Sequence, residues 1–263
     1  MQERTEELNI FHVQLLELLL DIAVTLVVAG AHSGKTIRIV KRFAKAYGFD
    51  VYIMLQMKSV VLTLSHSEDH GVQQTAIRHI PNFALNFYFQ NMLSRLSWQV
   101  HDEGMDFAVL TAKYHEIITA SRYSYWFVLI AVSLANMGFC RLFGGDFWSM
   151  LFVLSGTAAA YHVRSKIQGT GINHLLVISF TAFVSSVIAG CTVLFSLGST
   201  APIALATSVL FLIPGVPLIN SLIEILEGHI LNGIEKLLHS CTVIVCIALG
   251  LLLTSVLLGL ENL

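Results

Sequence analysis

Charge is what this sequence has least of. Asp, Glu, Lys and Arg make up 12% of its 263 residues, while hydrophobic residues reach 55% and the mean hydropathy is +0.73. Soluble domains carry roughly 25% charged residues, so a chain this poor in charge has a large membrane-embedded part. The formal net charge of −2 gives no basic surface, which excludes nucleic acid as a partner. Cys140, Cys191, Cys241 and Cys246 all lie in apolar runs, with no C-x-x-C or His/Cys metal spacing among them. They read as small membrane residues rather than ligands. The first ten residues, MQERTEELNI, lack a basic region before an apolar stretch, so no cleaved signal peptide is expected. Nothing resembles a nucleophile elbow, and no enzymatic activity is expected.

Apolar sequence dominates from Tyr123 onward. Tyr123–Cys140 and Phe147–Val163 contain no formal charge, and between Lys166 and Glu224 about 57 residues pass without one. One crossing needs only ~20 apolar residues. The turn signal Gly198–Pro202 divides the long run into spans near Ile172–Phe195 and Ala201–Ile219, and Leu237–Leu260 supplies a fifth. The expected fold class is therefore an α-helical integral membrane protein of about five transmembrane helices (123–263) with an N-terminal cytoplasmic α/β domain (1–122). With the N-terminus inside, Lys113, Arg122, Arg164, Lys166 and Lys236 face the cytoplasm and Arg141 alone lies outside, as the positive-inside rule requires.

The first 122 residues carry most of the charge. Leu15–Ala29 is an apolar helical run interrupted by Asp21, and the uninterrupted stretch after it suits a buried core helix better than a span. A basic helix is expected over Lys35–Tyr47. The β-rich runs DVYIML and SVVLTL, separated by Gln56-Met57-Lys58, form a hairpin by spacing. Gln73–Ile80 adds an edge strand, and helices follow near Phe83–Val100 and Phe107–Ala120. HSEDH, His66–His70, reads as a polar turn.

Between the first two helices lies AGAHSGKT, which looks like a phosphate-binding loop. That motif needs four residues between its first Gly and Gly-Lys-Ser/Thr, a preceding strand and a following helix. Gly30 and Gly34 are separated by three residues, and the preceding segment reads as a helix. A helix–turn–helix linker is the expected reading.

The membrane half offers one chemically suggestive stretch, IPGVPLINSLIEILEGH, Ile213–His229. Pro214 and Pro217 each remove a backbone donor and push the preceding residue out of the helical region, and Gly215 loosens the chain between them. Broken helices at membrane depth are tolerated where freed carbonyls meet protein or a water-lined cavity, and transporters bind solutes there. Asn220 and Glu224 follow, and near-membrane carboxylates are ion or proton candidates. Pro214, Gly215, Pro217, Asn220 and Glu224 are thus the candidate pathway residues. Two alternatives stay open for the carboxylates: a simple kink with Glu224 in cytosolic water, and solvent exposure for Glu227.

On AGA at 29–31 with Thr36 and Arg38, the hairpin GFDVYIMLQMKSVVLTL, FGGDF at 143–147 and IPGVPLIN at 213–220, the chain resembles the threonine/serine exporter family of bacterial inner-membrane proteins. The likeness runs from about Leu15 to Gly259. The family commonly has an arginine and an acid after AGA, where this sequence reads His32-Ser33-Gly34-Lys35. Full-length members have ten spans, so a five-span chain resembles the larger subunit of a split system, whose smaller membrane partner supplies the rest. Split systems of this kind are associated with succinate, fused ones with threonine and serine. The resemblance implies ion-gradient-driven export with no cofactor. In an exporter of this kind Glu224 is the candidate proton-coupling residue. The competing reading is a membrane-anchored receptor or regulator without transport activity.

Overall fold

The computed structural model describes residues 2–66, 73–81, 83–120 and 123–259, with side chains from Ile10 onward. Most of HSEDH and the orientation residue Arg122 lie outside these. The protein is mostly helical and divides into two compact units, Met1–Ser121 with Val216–Leu237, and Arg122–Gly215 with Leu238–Leu263.

In the first unit, helix α1 (Gln2–Val28) lies on an antiparallel sheet of β1 (Phe49–Leu55), β2 (Ser59–His66) and β3 (Gln73–His79), in that order. The hairpin follows from period-two alternation in its central strand. Val60, Leu62 and Leu64 are fully buried while Val61 and Thr63 turn outward, and Leu55 pairs with Val60 across the turn. α2 (Ser33–Ala46), α3 (Phe87–Glu103) and α4 (Phe107–Thr119) complete the core. Leu15, Leu19, Leu20, Ile22 and Leu26 of α1 are fully buried against Val40, Phe43, Leu62, Leu93 and Leu110. Burial of each such side chain is worth about 1.5–3 kcal/mol. Asp21, which breaks the apolar run, is answered by Arg78 of β3, which also reaches Glu17.

The second unit holds α5 (Tyr125–Leu142), α6 (Phe147–Ile167), α7 (His174–Leu194), α8 (Ala201–Thr207), a 3-10 turn at Leu210–Leu212, and most of α10 (Ile230–Leu258). Its burial pattern is inverted relative to a soluble domain. Ser133, Asn136, Thr157, Thr181, Ser185, Ser186 and Thr254 are buried, whereas Trp126, Phe127, Leu176, Phe180, Leu252, Leu253 and Val256 are exposed. Leucine outside and hydroxyls inside is the distribution expected where the surrounding solvent is lipid. Small residues bring the helices close: a Cβ on Gly156 of α6 would lie 2.8 Å from the Ser185 carbonyl of α7. The turn into α6 is fixed by Asp146, whose carboxylate accepts from Ser149 N at 2.8 Å and Ser199 N at 2.6 Å. Those two bonds, Ser149 first, hold its pKa down at about 2.

Among the described residues, four helical segments are long and apolar enough to cross a membrane, Ile10–Val28, Tyr125–Leu142, His174–Leu194 and Ile230–Leu258. The count rises to five if Ala201–Leu212 and α9 (Gly215–Leu226) form one bent span. This makes the chain a multi-pass membrane protein, with two departures from the sequence reading. The stretch Phe147–Val163 is helical but is not among the four, because a helix starting at Phe147 reaches 18 residues only by taking in His162 and Arg164, which lower its mean hydropathy. The Ile10–Val28 segment meets the length test despite Asp21, yet half of it is buried within its own unit.

Candidate functional site

The prolines act as their chemistry dictates. Ile213, forced out of the helical region by Pro214, is extended at φ −62° and ψ 127° and ends the 3-10 turn. Gly215 then opens α9, where Pro217 sits in the first turn and its missing N–H costs nothing. The chain is already interrupted once more, between Thr207 and Leu210, with no proline to announce it.

From Val216 to Leu237 the chain belongs to the first unit, and three candidate or neighbouring side chains converge there on the turn between α1 and α2. Asn220 Nδ2 donates to the Gly30 carbonyl at 2.8 Å. Gly30 adopts φ +90°, a left-handed conformation that favours glycine. Glu224 is fully buried, and its Oε1 accepts from the Ser33 backbone N–H at 2.9 Å and from the Lys236 ammonium. Its Oε2 is enclosed without a partner among the described residues. Leaving such an oxygen bare costs about 1–3 kcal/mol. Asn232 Nδ2 donates to Ser33 Oγ at 3.1 Å. Complete burial removes the alternative in which Glu224 sits in cytosolic water.

Glu227 lies at the surface, but its carboxylate is held. Oε1 accepts from Arg38 at 3.1 Å and Oε2 meets His32 Nδ1 at 3.0 Å. His32 is the N-cap of α2, and the same Nδ1 lies 3.4 Å from Lys35 N. One nitrogen cannot both donate and accept in the plane of the ring, and the shorter contact to a carboxylate identifies it as the donor to Glu227. Burial alone would raise the Glu227 pKa; the Arg38 hydrogen bond and the neighbouring His32 and Arg38 charges outweigh it and bring it below the ordinary value. A Cβ on Gly34 would overlap the Glu227 carboxylate, so this glycine is what admits it.

The phosphate-loop question is thereby answered. α1 precedes the turn where a strand would be needed, and the amides at the α2 N-terminus, the positive end of the helix dipole, face Glu224 and Glu227. The lysine of the apparent motif, Lys35, donates to Gln90 Oε1 at 3.0 Å, and Gln90 in turn donates to the Ala29 carbonyl at 2.8 Å. Burial lowers the Lys35 pKa, with Arg38 adding to the effect. Beside Glu227, an open cleft of about 720 Å³ is lined by Arg38, Lys41, Tyr52, Thr63 and His229.

Pro214 ends the second unit and makes no part of this cluster; Gly215 and Pro217 position α9 without touching the polar groups. Sequence reasoning missed His32, Ser33, Gly34 and Lys236. His32, Ser33 and Gly34 stood out only as a departure from the family pattern, and Lys236, twelve positions beyond Glu224, only as an orientation charge.

The family described as "Putative threonine/serine exporter" matches residues 17–258. The chain is 24% identical over 235 residues to "Probable succinate transporter subunit YjjP" of Klebsiella aerogenes, and equally so to the protein of the same name in Escherichia coli K12. In each case 89% of this chain and 90% of the relative are covered. No solved structure matches.

Proposed function

Because this chain belongs to the threonine/serine exporter family, we propose that it is a subunit of a secondary exporter moving a small polar metabolite out across the inner membrane, driven by the proton gradient. The solute is a C4 dicarboxylate such as succinate, or threonine/serine; the names of the two relatives favour the former. Those names also describe a subunit, and we take the missing part to be a smaller membrane protein supplying further spans. In this reading residues 1–122 are cytoplasmic and 123–263 hold five spans, with the N-terminus inside. Pro214, Gly215, Pro217 and Asn220 shape the path beside Glu224.

One observation carries the proposal: a fully buried carboxylate with one oxygen bare, on the helix that restarts after the break at Pro214. Intramembrane or near-membrane acids commonly mark proton paths, and a proton taken up here would deprive the Lys236 ammonium of its Glu224 counter-charge. Ser33 N–H and Lys236 stabilise its charged form through Oε1; a proton arriving at Oε2 would weaken both contacts and free α9 from α2. The test measures metabolites in the medium of cells expressing the chain with and without a candidate partner. Partner-dependent appearance of one solute, lost with Glu224→Gln, is the expected result. Equal export by a properly inserted Glu224→Gln would remove the proton role. No partner-dependent solute at all would point instead to a receptor.

A further inference from the structure

A second bare oxygen lies in the other unit. Asn136 of α5 is 1% exposed. Its amide donates to Thr157 Oγ1 of α6 at 2.7 Å and to the Ser208 carbonyl at 3.3 Å, at the interruption between α8 and the 3-10 turn. Ser185 of α7 donates to the same carbonyl at 2.8 Å. Both amide hydrogens and both acceptor positions of that carbonyl are therefore used. Asn136 Oδ1 is enclosed and has no partner among the described residues. Turning the amide over would set Oδ1 against the Ser208 oxygen, so the assignment stands on the network itself.

The surroundings define what this oxygen can receive. Every buried polar side chain of the second unit, among the described residues, is an uncharged Ser, Thr or Asn. None of its hydrogen-bonding neighbours is a cation that could hold a bare carboxylate, and an orphan acceptor repels one. What satisfies Oδ1 is an O–H or N–H donor. Three helices and an interrupted fourth meet at this point, which is where a solute-binding site is built in membrane bundles.

We propose that Asn136 Oδ1 is a solute-binding contact and that the exported solute presents an O–H or N–H group to it. The inference rests on the exporter reading and narrows its substrate. A hydroxy amino acid carries such donors at any working pH. Succinate, with no hydroxyl or amino group, carries one only with a carboxyl protonated, so it is bound in that form.

The test is thermal unfolding of the purified full chain with serine, threonine or succinate, at about pH 7.5 and about pH 5, where a carboxyl group begins to be protonated. Serine or threonine protection at both values would identify a hydroxy amino acid; succinate protection confined to the lower value would identify the protonated dicarboxylate. Either result supports the contact if Asn136→Leu, close in volume, weakens the protecting solute roughly three- to tenfold, the worth of one neutral hydrogen bond. Equal protection by succinate at both pH values would overturn it, as would unchanged protection in Asn136→Leu or no protection by any solute. Should that variant fail to fold, the pH comparison on the native chain decides alone. Export from cells is scored separately, so a wild type that exports while Asn136 proves silent sinks this inference and leaves the exporter reading standing.

Discussion

Replacing Glu224 with leucine removes the carboxylate that joins Ser33 N–H to the Lys236 ammonium. Glu224 is fully buried and the Lys236 side chain is 22% exposed, so the ammonium loses its counter-charge in a largely dry place. Breaking a buried pair from one side costs 3–5 kcal/mol; the residual exposure of Lys236, which lets water reach the ammonium, puts the cost near the lower end, at about 3 kcal/mol. For a chain of this size each kcal/mol moves the melting temperature by roughly 2–4 °C, so Glu224→Leu should melt about 6–12 °C below wild type. The double variant Glu224→Leu/Lys236→Leu removes both charges and should recover part of that loss, since apolar replacement of a whole buried pair is often neutral. Recovery is partial because Lys236 has further contacts of its own. Thermal unfolding of the purified protein, read by tryptophan fluorescence, checks this. A Glu224→Leu protein as stable as wild type, or a double variant less stable than the single one, would refute the reasoning.

Gly34→Ala should push aside the Glu227 carboxylate, the far end of a flexible surface side chain, and cost no more than about 1 kcal/mol, the worth of its pairs with His32 and Arg38; adding Glu227→Ala should change stability little further in the same melting assay. The depressed pKa values of Glu227 and Asp146 make stability acid-sensitive. A carboxylate held lower in the folded state stabilises fully above its unfolded pKa, so stability should fall below about pH 4.5 for Glu227 and between pH 3.8 and about 2 for Asp146. Glu227→Gln should flatten the first part of the curve and Asp146→Asn the second. Finally, ATP with Mg²⁺ should not shift the melting temperature of wild type, and Lys35→Ala should not change that; a shift lost in Lys35→Ala would revive the nucleotide reading.

Local physics wrote the parts of this fold that could be read in advance. The hairpin was legible because Val60, Leu62 and Leu64 alternate with outward residues, and the break before α9 because Pro214 admits only an extended neighbour. The interruption at Ser208 was not legible: nothing in Thr207-Ser208-Val209 forbids a helix, and side chains from α5 and α7 hold its carbonyl instead. The candidate site was half legible. An acid beyond a broken helix announces itself, but its partner Ser33 lies 191 positions away and offers only a backbone N–H, which every residue but proline possesses. Asn136 was invisible for a related reason. One amide in an apolar helix says nothing until its three neighbours are known.

The turn at the start of α2 carries its own anion. A diffusing phosphate that approached these amides would compete with carboxylates of the same chain, which are tethered, present at one copy per site and never diluted. Such an occupant sets a threshold that a loosely bound phosphate does not reach, and it makes the turn insensitive to cellular nucleotide levels. The same tethering means that release of the turn answers to whatever moves α9.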